Sequence, residues 1–169
     1  MVADKAFLMQ AELVAADVYA NITPSREFPN PDNHGWNSNS AFVATKAGVL
    51  LFDTGSSTAI GESIKKLIAG VTNQPVRWII NSHAHGDHWL GNAVFKDTVE
   101  AIYASEPVTK NIANEGQTWV DSFMRMTRGA TGQSVIVVPD SLVKERTEIV
   151  SGGKRVLLFP SGSSHSRSW

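Results

Sequence analysis

The chain has 169 residues, of which 42% are hydrophobic and 18% charged, as expected for one ordinary globular domain spanning residues 1–169. Its formal net charge of −1 provides no basic field that would favour a nucleic-acid partner, and no apolar run is long enough for a membrane span. With no cysteine, disulfides, thiolate ligands and thiol nucleophiles are excluded.

The N-terminus does not have the pattern of a signal peptide. The short apolar run at residues 6–9 is interrupted by Gln10 and Glu12. We therefore expect a cytoplasmic protein, although a mature periplasmic protein that begins with a new methionine would have the same sequence.

Strand and helix patterns alternate along the chain, which predicts an α/β fold. Residues 1–16 are interpreted as an arm or a short helix. Strands are predicted at residues 18–22 (an edge strand), 41–45, 49–53, 76–80, 101–104, 147–150 and 155–159. Helices are predicted at residues 57–69 and 107–124, with a short helix over residues 89–95.

Residues 23–39 are rich in Pro, Asn, Ser and Gly, which is typical of a loop. The loop contains His34 and Trp36. The simpler interpretation is a solvated histidine beside a half-buried tryptophan, and the alternative is a loop that faces a substrate.

Three histidines and a carboxylate follow the predicted strand at 76–80, as His83, His85, Asp87 and His88. Side chains two residues apart on extended backbone point the same way, so His83 and His85 are expected to hold one metal ion together. Gly86 then allows a sharp turn that directs Asp87 and His88 to a second position. Imidazole and carboxylate donors suit a catalytic zinc or iron ion.

The alternative is a polar loop with incidental histidines. It is disfavoured because four metal-binding side chains fall within six positions of a chain that has only five histidines. Asp53, at the end of the predicted strand 49–53, is either a turn former or an acceptor that supports the histidine loop from behind. The histidine cluster downstream favours the second role.

Together, Asp53-Thr54-Gly55, His83-x-His85-x-Asp87-His88 and Gly162-Ser163-Ser164-His165 resemble the metallo-β-lactamase superfamily. The resemblance implies a four-layer αββα sandwich with metal ions at one edge. It implies that His83, His85 and His165 bind a first metal ion. Asp87 and His88 would bind a second, and Asp53 would support the site. The expected cofactor is one or two Zn²⁺ ions, with iron as an alternative.

The sequence departs from the family pattern after His165, where no Asp, Glu, His or Cys follows. We therefore expect mainly the N-terminal half of the sandwich, a complete ligand set for the first ion only, and self-association through exposed apolar surface.

The implied function is zinc-dependent hydrolysis of a small ester, thioester, lactone or β-lactam, in which the metal activates a water molecule. In such a hydrolase, Asp87 would orient the nucleophile and pass a proton to the leaving group. Two alternatives stay open: an iron-dependent oxidoreductase that resembles persulfide dioxygenases, and a metal-binding fragment without catalytic activity.

Overall fold

A seven-stranded sheet is the centre of the computed structural model, which describes residues 8–161. The strands lie side by side in chain order; β1 to β4 pair antiparallel and β4 to β7 pair parallel. They are β1 (Glu12–Ala15), β2 (Val18–Asn21), β3 (Ser40–Thr45), β4 (Gly48–Phe52), β5 (Val76–Ile80), β6 (Ala101–Ala104) and β7 (Ser141–Leu142). The parallel half brings the carboxyl ends of β4, β5 and β6 to one edge.

Helix α1 (Thr58–Ala69) connects β4 to β5 across one face of the sheet. A crossover is needed because parallel neighbours cannot be joined by a tight turn. The Ser57 hydroxyl accepts a hydrogen bond from Ile60 N at 3.2 Å and caps the helix. Ile60 and Ile64 pack in the main core with residues of β4 and β5. The predicted helix at 57–69 agrees with this element.

Helix α2 (Glu106–Met126) covers the segment that follows β5. Ile112, Val120 and Phe123 form a second apolar cluster with Trp89 and Leu90, all of them buried. The histidine motif is thereby attached to a helix through the hydrophobic residues that come directly after it.

A two-stranded hairpin, β8 (Thr147–Ser151) and β9 (Lys154–Leu158), lies on the opposite face of the large sheet. Its Ile149 packs with Leu50 and Ile80, which are only 4% and 6% exposed. Helix, large sheet and second sheet are thus three successive layers of an α/β sandwich. The hairpin therefore buries part of the sheet face opposite helix α1.

Two predictions differ from the structure, and one strand was not predicted. Residues 12–15 form strand β1 by pairing with β2, so β2 is an inner strand and not an edge strand. The short helix expected over 89–95 is replaced by two 3-10 turns, Gly86–His88 and Asn92–Phe95. Strand β7 is only two residues long, too short to produce a sequence pattern. No helix within residues 8–161 is long and apolar enough to cross a membrane.

Candidate metal centre

The candidate site lies where β4 and β5 end side by side. Asp53 directly follows β4, and the histidine motif begins three residues after β5 ends. Two backbone hydrogen bonds join the segments: Asp53 N donates to Ile80 O at 2.9 Å, and Thr54 N donates to His88 O at 3.0 Å. Adjacent parallel strands therefore bring residues 27 and 34 positions apart in sequence into direct contact.

The Asp53 carboxylate is buried, with 2% of the residue exposed, and accepts three hydrogen bonds. One oxygen, Oδ1, accepts from Ser82 N at 2.8 Å. The other, Oδ2, accepts from Ser82 Oγ at 2.6 Å and contacts His88 Nδ1 at 2.7 Å. A carboxylate that orients an imidazole through Nδ1 has the geometry of a supporting group behind a metal ligand.

His88 is partly buried between two carboxylates. Burial lowers its pKa, but the hydrogen bond to Asp53 and the charges of Asp53 and Asp87 outweigh burial. The pKa of His88 is therefore raised above its usual value. Its other ring nitrogen, Nε2, is 3.5 Å from Asp87 Oδ2, so His88 and Asp87 face each other.

The three motif histidines lie close together. The centroid of the His83 ring is 4.3 Å from that of His85 and 5.2 Å from that of His88, in edge-to-face arrangements. His85 also contacts Trp119 of α2, with ring centroids 4.8 Å apart. Helix α2 therefore holds this histidine through an aromatic contact that the sequence did not indicate.

The donor chemistry of the loop suits a zinc or iron ion: three imidazoles and one carboxylate, with a second carboxylate behind His88. Within residues 8–161, however, no group of three or more His, Cys, Asp or Glu side chains is arranged to hold an ion. The predicted ligand His165 lies outside the described residues. The assignment of His83, His85, Asp87, His88 and His165 as ligands stays a prediction.

The loop at residues 23–39 contacts the motif from the other side. Asn37 Nδ2 donates to Asp87 Oδ2 at 3.3 Å, and Ser38 Oγ donates to Asp87 O at 2.6 Å. Both bonds join residues about 50 positions apart, and the sequence analysis missed them. Trp36, expected to be half-buried, is 5% exposed and belongs to the main core.

A buried amide network fixes the end of the motif. Asn92 Oδ1 accepts from Thr54 Oγ1 at 2.9 Å and from Asn81 Nδ2 at 3.1 Å. Asn92 Nδ2 donates to Asn81 Oδ1 at 2.8 Å and to Val137 O at 3.0 Å. Asn81 Nδ2 also donates to His88 O at 3.2 Å. Asn92 thus links β4, β5 and the last motif histidine without contacting a metal-binding side chain.

Close packing accounts for the lack of a side chain at Gly86 and Gly91. A Cβ on Gly86 would lie 2.9 Å from Leu90 Cδ1 and 3.2 Å from Phe123 Cε2, and one on Gly91 would lie 2.1 Å from Thr54 O. The sharp turn expected at Gly86 is a 3-10 turn that begins there, and its backbone has no positive φ. A side chain at this position would crowd Leu90 and Phe123, so glycine lets the motif approach α2 closely.

Two cavities border the motif. The larger, about 790 Å³, is lined by His85, Asp87 and His88 together with residues of the 23–39 loop. The smaller, about 360 Å³, lies beside His83 and the end of β9. The larger cavity is the one in which a small molecule would meet three of the motif side chains.

The sequence model of the metallo-beta-lactamase superfamily matches residues 34–168, and the chain belongs to this superfamily. The recognised family and the α/β fold class are therefore confirmed. No significant match was found among curated proteins.

Solved structures share the fold at low sequence identity. A metallo-beta-lactamase from Pontibacter korlensis has a TM-score of 0.64 and 21% identity, over 89% of this chain and 60% of that chain. The FEZ-1 metallo-beta-lactamase from Legionella gormanii has a TM-score of 0.58 and 16% identity, over 84% and 49%. A double mutant of the sec-alkyl sulfatase PisA1 has a TM-score of 0.56 and 16% identity, over 85% and 26%. This chain thus spans 60% or less of the length of each of these relatives.

Proposed function

We propose that the protein is a zinc-dependent hydrolase of a small ester, thioester, lactone or β-lactam. The observation that carries the proposal is the Asp53 carboxylate, which holds Ser82 and His88 and so fixes the motif at the edge of a substrate-sized cavity. Membership of a superfamily of mostly hydrolytic metalloenzymes supports the reaction class. The similar structures include lactamases and a sulfatase, so fold alone leaves the substrate open.

The roles of the residues follow from where they lie. A zinc ion held by the histidines would supply Lewis-acid chemistry and a nucleophile at neutral pH. Asp87 borders the cavity and would orient the attacking water and pass its proton to the leaving group. Asn37 and Ser38 hold Asp87 in position through its carboxylate and its backbone carbonyl. Asp53 keeps the His88 ring in one orientation.

An iron-dependent oxidoreductase is the second candidate, because imidazole and carboxylate donors suit iron as well as zinc. A chain that binds metal without turnover is the third. Metal content and reaction type separate the three.

The test is elemental analysis of the dialysed protein, followed by hydrolysis assays with ester, thioester, lactone and β-lactam substrates. We expect about one tightly held zinc per chain and activity that is lost on chelation and restored by zinc. His83→Ala and His88→Ala should lose both metal and activity. His34→Asn is the control, since asparagine tolerates the positive φ of 48° at this loop position.

Full hydrolysis by the chelated protein would contradict the proposal. Retained iron with oxygen consumption would favour the oxidoreductase, and zinc without turnover would favour the fragment.

A further inference from the structure

We propose that Arg26 binds an anionic group of the substrate, so that the substrate is a small carboxylate with an apolar body. This inference rests on the proposed function, because it names the substrate class of the same cavity.

The charges around the larger cavity support a single anion-binding position. Arg26 is the one Lys or Arg among the described residues that line this cavity. Within residues 8–161, Arg26 forms no ion pair with an Asp or Glu. The two carboxylates of the cavity wall are already engaged, Asp53 by Ser82 and His88, and Asp87 by Asn37. Among the described residues, the guanidinium therefore keeps its donors for a ligand.

The backbone around Arg26 is held in place before a ligand arrives. Ser25 N donates to Thr23 Oγ1 at 3.3 Å, and Glu27 N donates to Ser25 Oγ at 3.3 Å. Asn33 Nδ2 donates to the same Ser25 hydroxyl at 3.1 Å. These bonds fix the residues on both sides of Arg26, so less ordering entropy opposes ligand binding.

The same cavity has an apolar wall. Ile22 is 50% exposed and Phe52 is 41% exposed, and both line it. Large apolar side chains gain free energy when a ligand covers them. A ligand that places its carboxylate at Arg26 and its apolar body along Ile22 and Phe52 uses both features.

The position of Arg26 sets the orientation of such a ligand, because its guanidinium attracts the substrate carboxylate. The uncharged ester or amide end is then left beside His85, Asp87 and His88, where the reaction is proposed to occur.

The experiment uses two matched nitrophenyl esters: the glutaric acid monoester, which carries a carboxylate, and the 5-methylhexanoate ester, in which an isopropyl group replaces it. Arg26→Gln should raise KM for the anionic ester about 2- to 5-fold without changing kcat, as expected for an exposed charge pair. The neutral ester should be unaffected. Arg26→Lys should retain part of the preference. The control Lys46→Gln, in the turn between β3 and β4, should leave KM unchanged for both esters.

A separate binding measurement distinguishes failure of this inference from failure of the proposed function. Affinity for the anilide of glutaric acid, which is not an ester, is measured by calorimetry on the same variants. Binding that depends on Arg26, without hydrolysis of any ester, thioester, lactone or β-lactam substrate, would retain the anion site and refute the hydrolase. Hydrolysis with the same ester preference in Arg26→Gln, or no anilide binding at all, would overturn the role of Arg26.

Discussion

Asp53 combines a buried carboxylate with a backbone conformation that few residues other than glycine adopt, at φ 61°. Asparagine and aspartate tolerate this left-handed region better than other side chains, while alanine is strained there. A substitution that tests the carboxylate must therefore tolerate this backbone conformation. Otherwise the measured effect combines backbone strain with the loss of hydrogen bonds.

We expect Asp53→Asn to lower zinc affinity about 10- to 100-fold, as loss of a supporting group typically does. The amide keeps the shape and the backbone but loses the charge that orients His88. Asp53→Ala should lower affinity at least as much and also reduce stability. Competition titration with a zinc chelator gives the affinities. Asp17→Asn, at φ 63° in the turn between β1 and β2, is the matched control. If folded Asp53→Asn bound zinc as tightly as the unsubstituted protein, Asp53 would be only a turn residue.

A substitution at Asn92 tests whether a residue that contacts no metal-binding side chain helps to position the histidine motif. Asn92→Asp keeps the acceptor but removes both bonds that Nδ2 donates, to Asn81 Oδ1 and Val137 O. We expect weaker zinc binding and, in the metal-free protein, a shifted His88 ring signal in NMR spectra, because Asn81 also holds His88 O.

Thr45→Val is the control for Asn92→Asp. It breaks a buried bond to Ser151 at the far end of β3 and should lower stability without moving the His88 signal. An unchanged His88 signal in Asn92→Asp would show that the network stabilises the fold without positioning the motif.

At the scale of elements, the histidine motif lies between helix α2 and the 23–39 loop. On one side Trp119 contacts His85, and on the other Asn37 and Ser38 contact Asp87. The motif is a loop, but the elements on both sides restrict its movement. Such support is what a functional site needs to keep its geometry.

Gly86→Ala should destabilise the protein by about 1–3 kcal/mol, the usual cost of overpacking. The added Cβ would enter the space between the motif and Leu90 and Phe123. Urea unfolding of the metal-free protein measures this. Gly70→Ala, at the end of α1 and at φ −72°, is the same chemical change where the nearest atom to the added Cβ is Leu67 O at 3.3 Å, and it should cost less. Equal stability of the two variants would mean that α2 and the motif are not tightly packed.

At the scale of the whole molecule, large apolar side chains are exposed on the outer strand β1, on β8 and directly after β9. Leu13 and Val14 are 66% and 60% exposed, and Val150 and Phe159 are 68% and 65% exposed. A strand at the edge of a sheet also has backbone groups that can pair with another chain. Both features favour association between copies of this chain.

We therefore predict self-association that increases with concentration, measured by sedimentation, together with binding of a hydrophobic fluorophore. Leu13→Lys and Val150→Lys should each weaken association, since a charge opposes burial. Lys46→Gln is the control. A monomer that binds no fluorophore over the whole concentration range would contradict the prediction.

Local chemistry in the sequence was sufficient to predict the fold class, helix α1 and the place of the candidate site. Helical spacing of apolar residues and the capping Ser57 are local features, and so is a histidine cluster directly after an apolar strand. The contact of Asp53 with His88 follows from the same logic, because adjacent parallel strands end together.

Only the tertiary structure decided what surrounds the site. The bonds from Asn37 and Ser38 to Asp87, the bond from Asn92 to Val137, and the placement of Arg26 on the cavity wall all depend on how distant segments pack. The hairpin that covers the second face of the sheet joins Ser151 to Thr45, 106 residues earlier. These contacts leave no periodic pattern in the sequence. They form when the apolar faces of separate elements pack together and the polar groups at the boundary pair with each other.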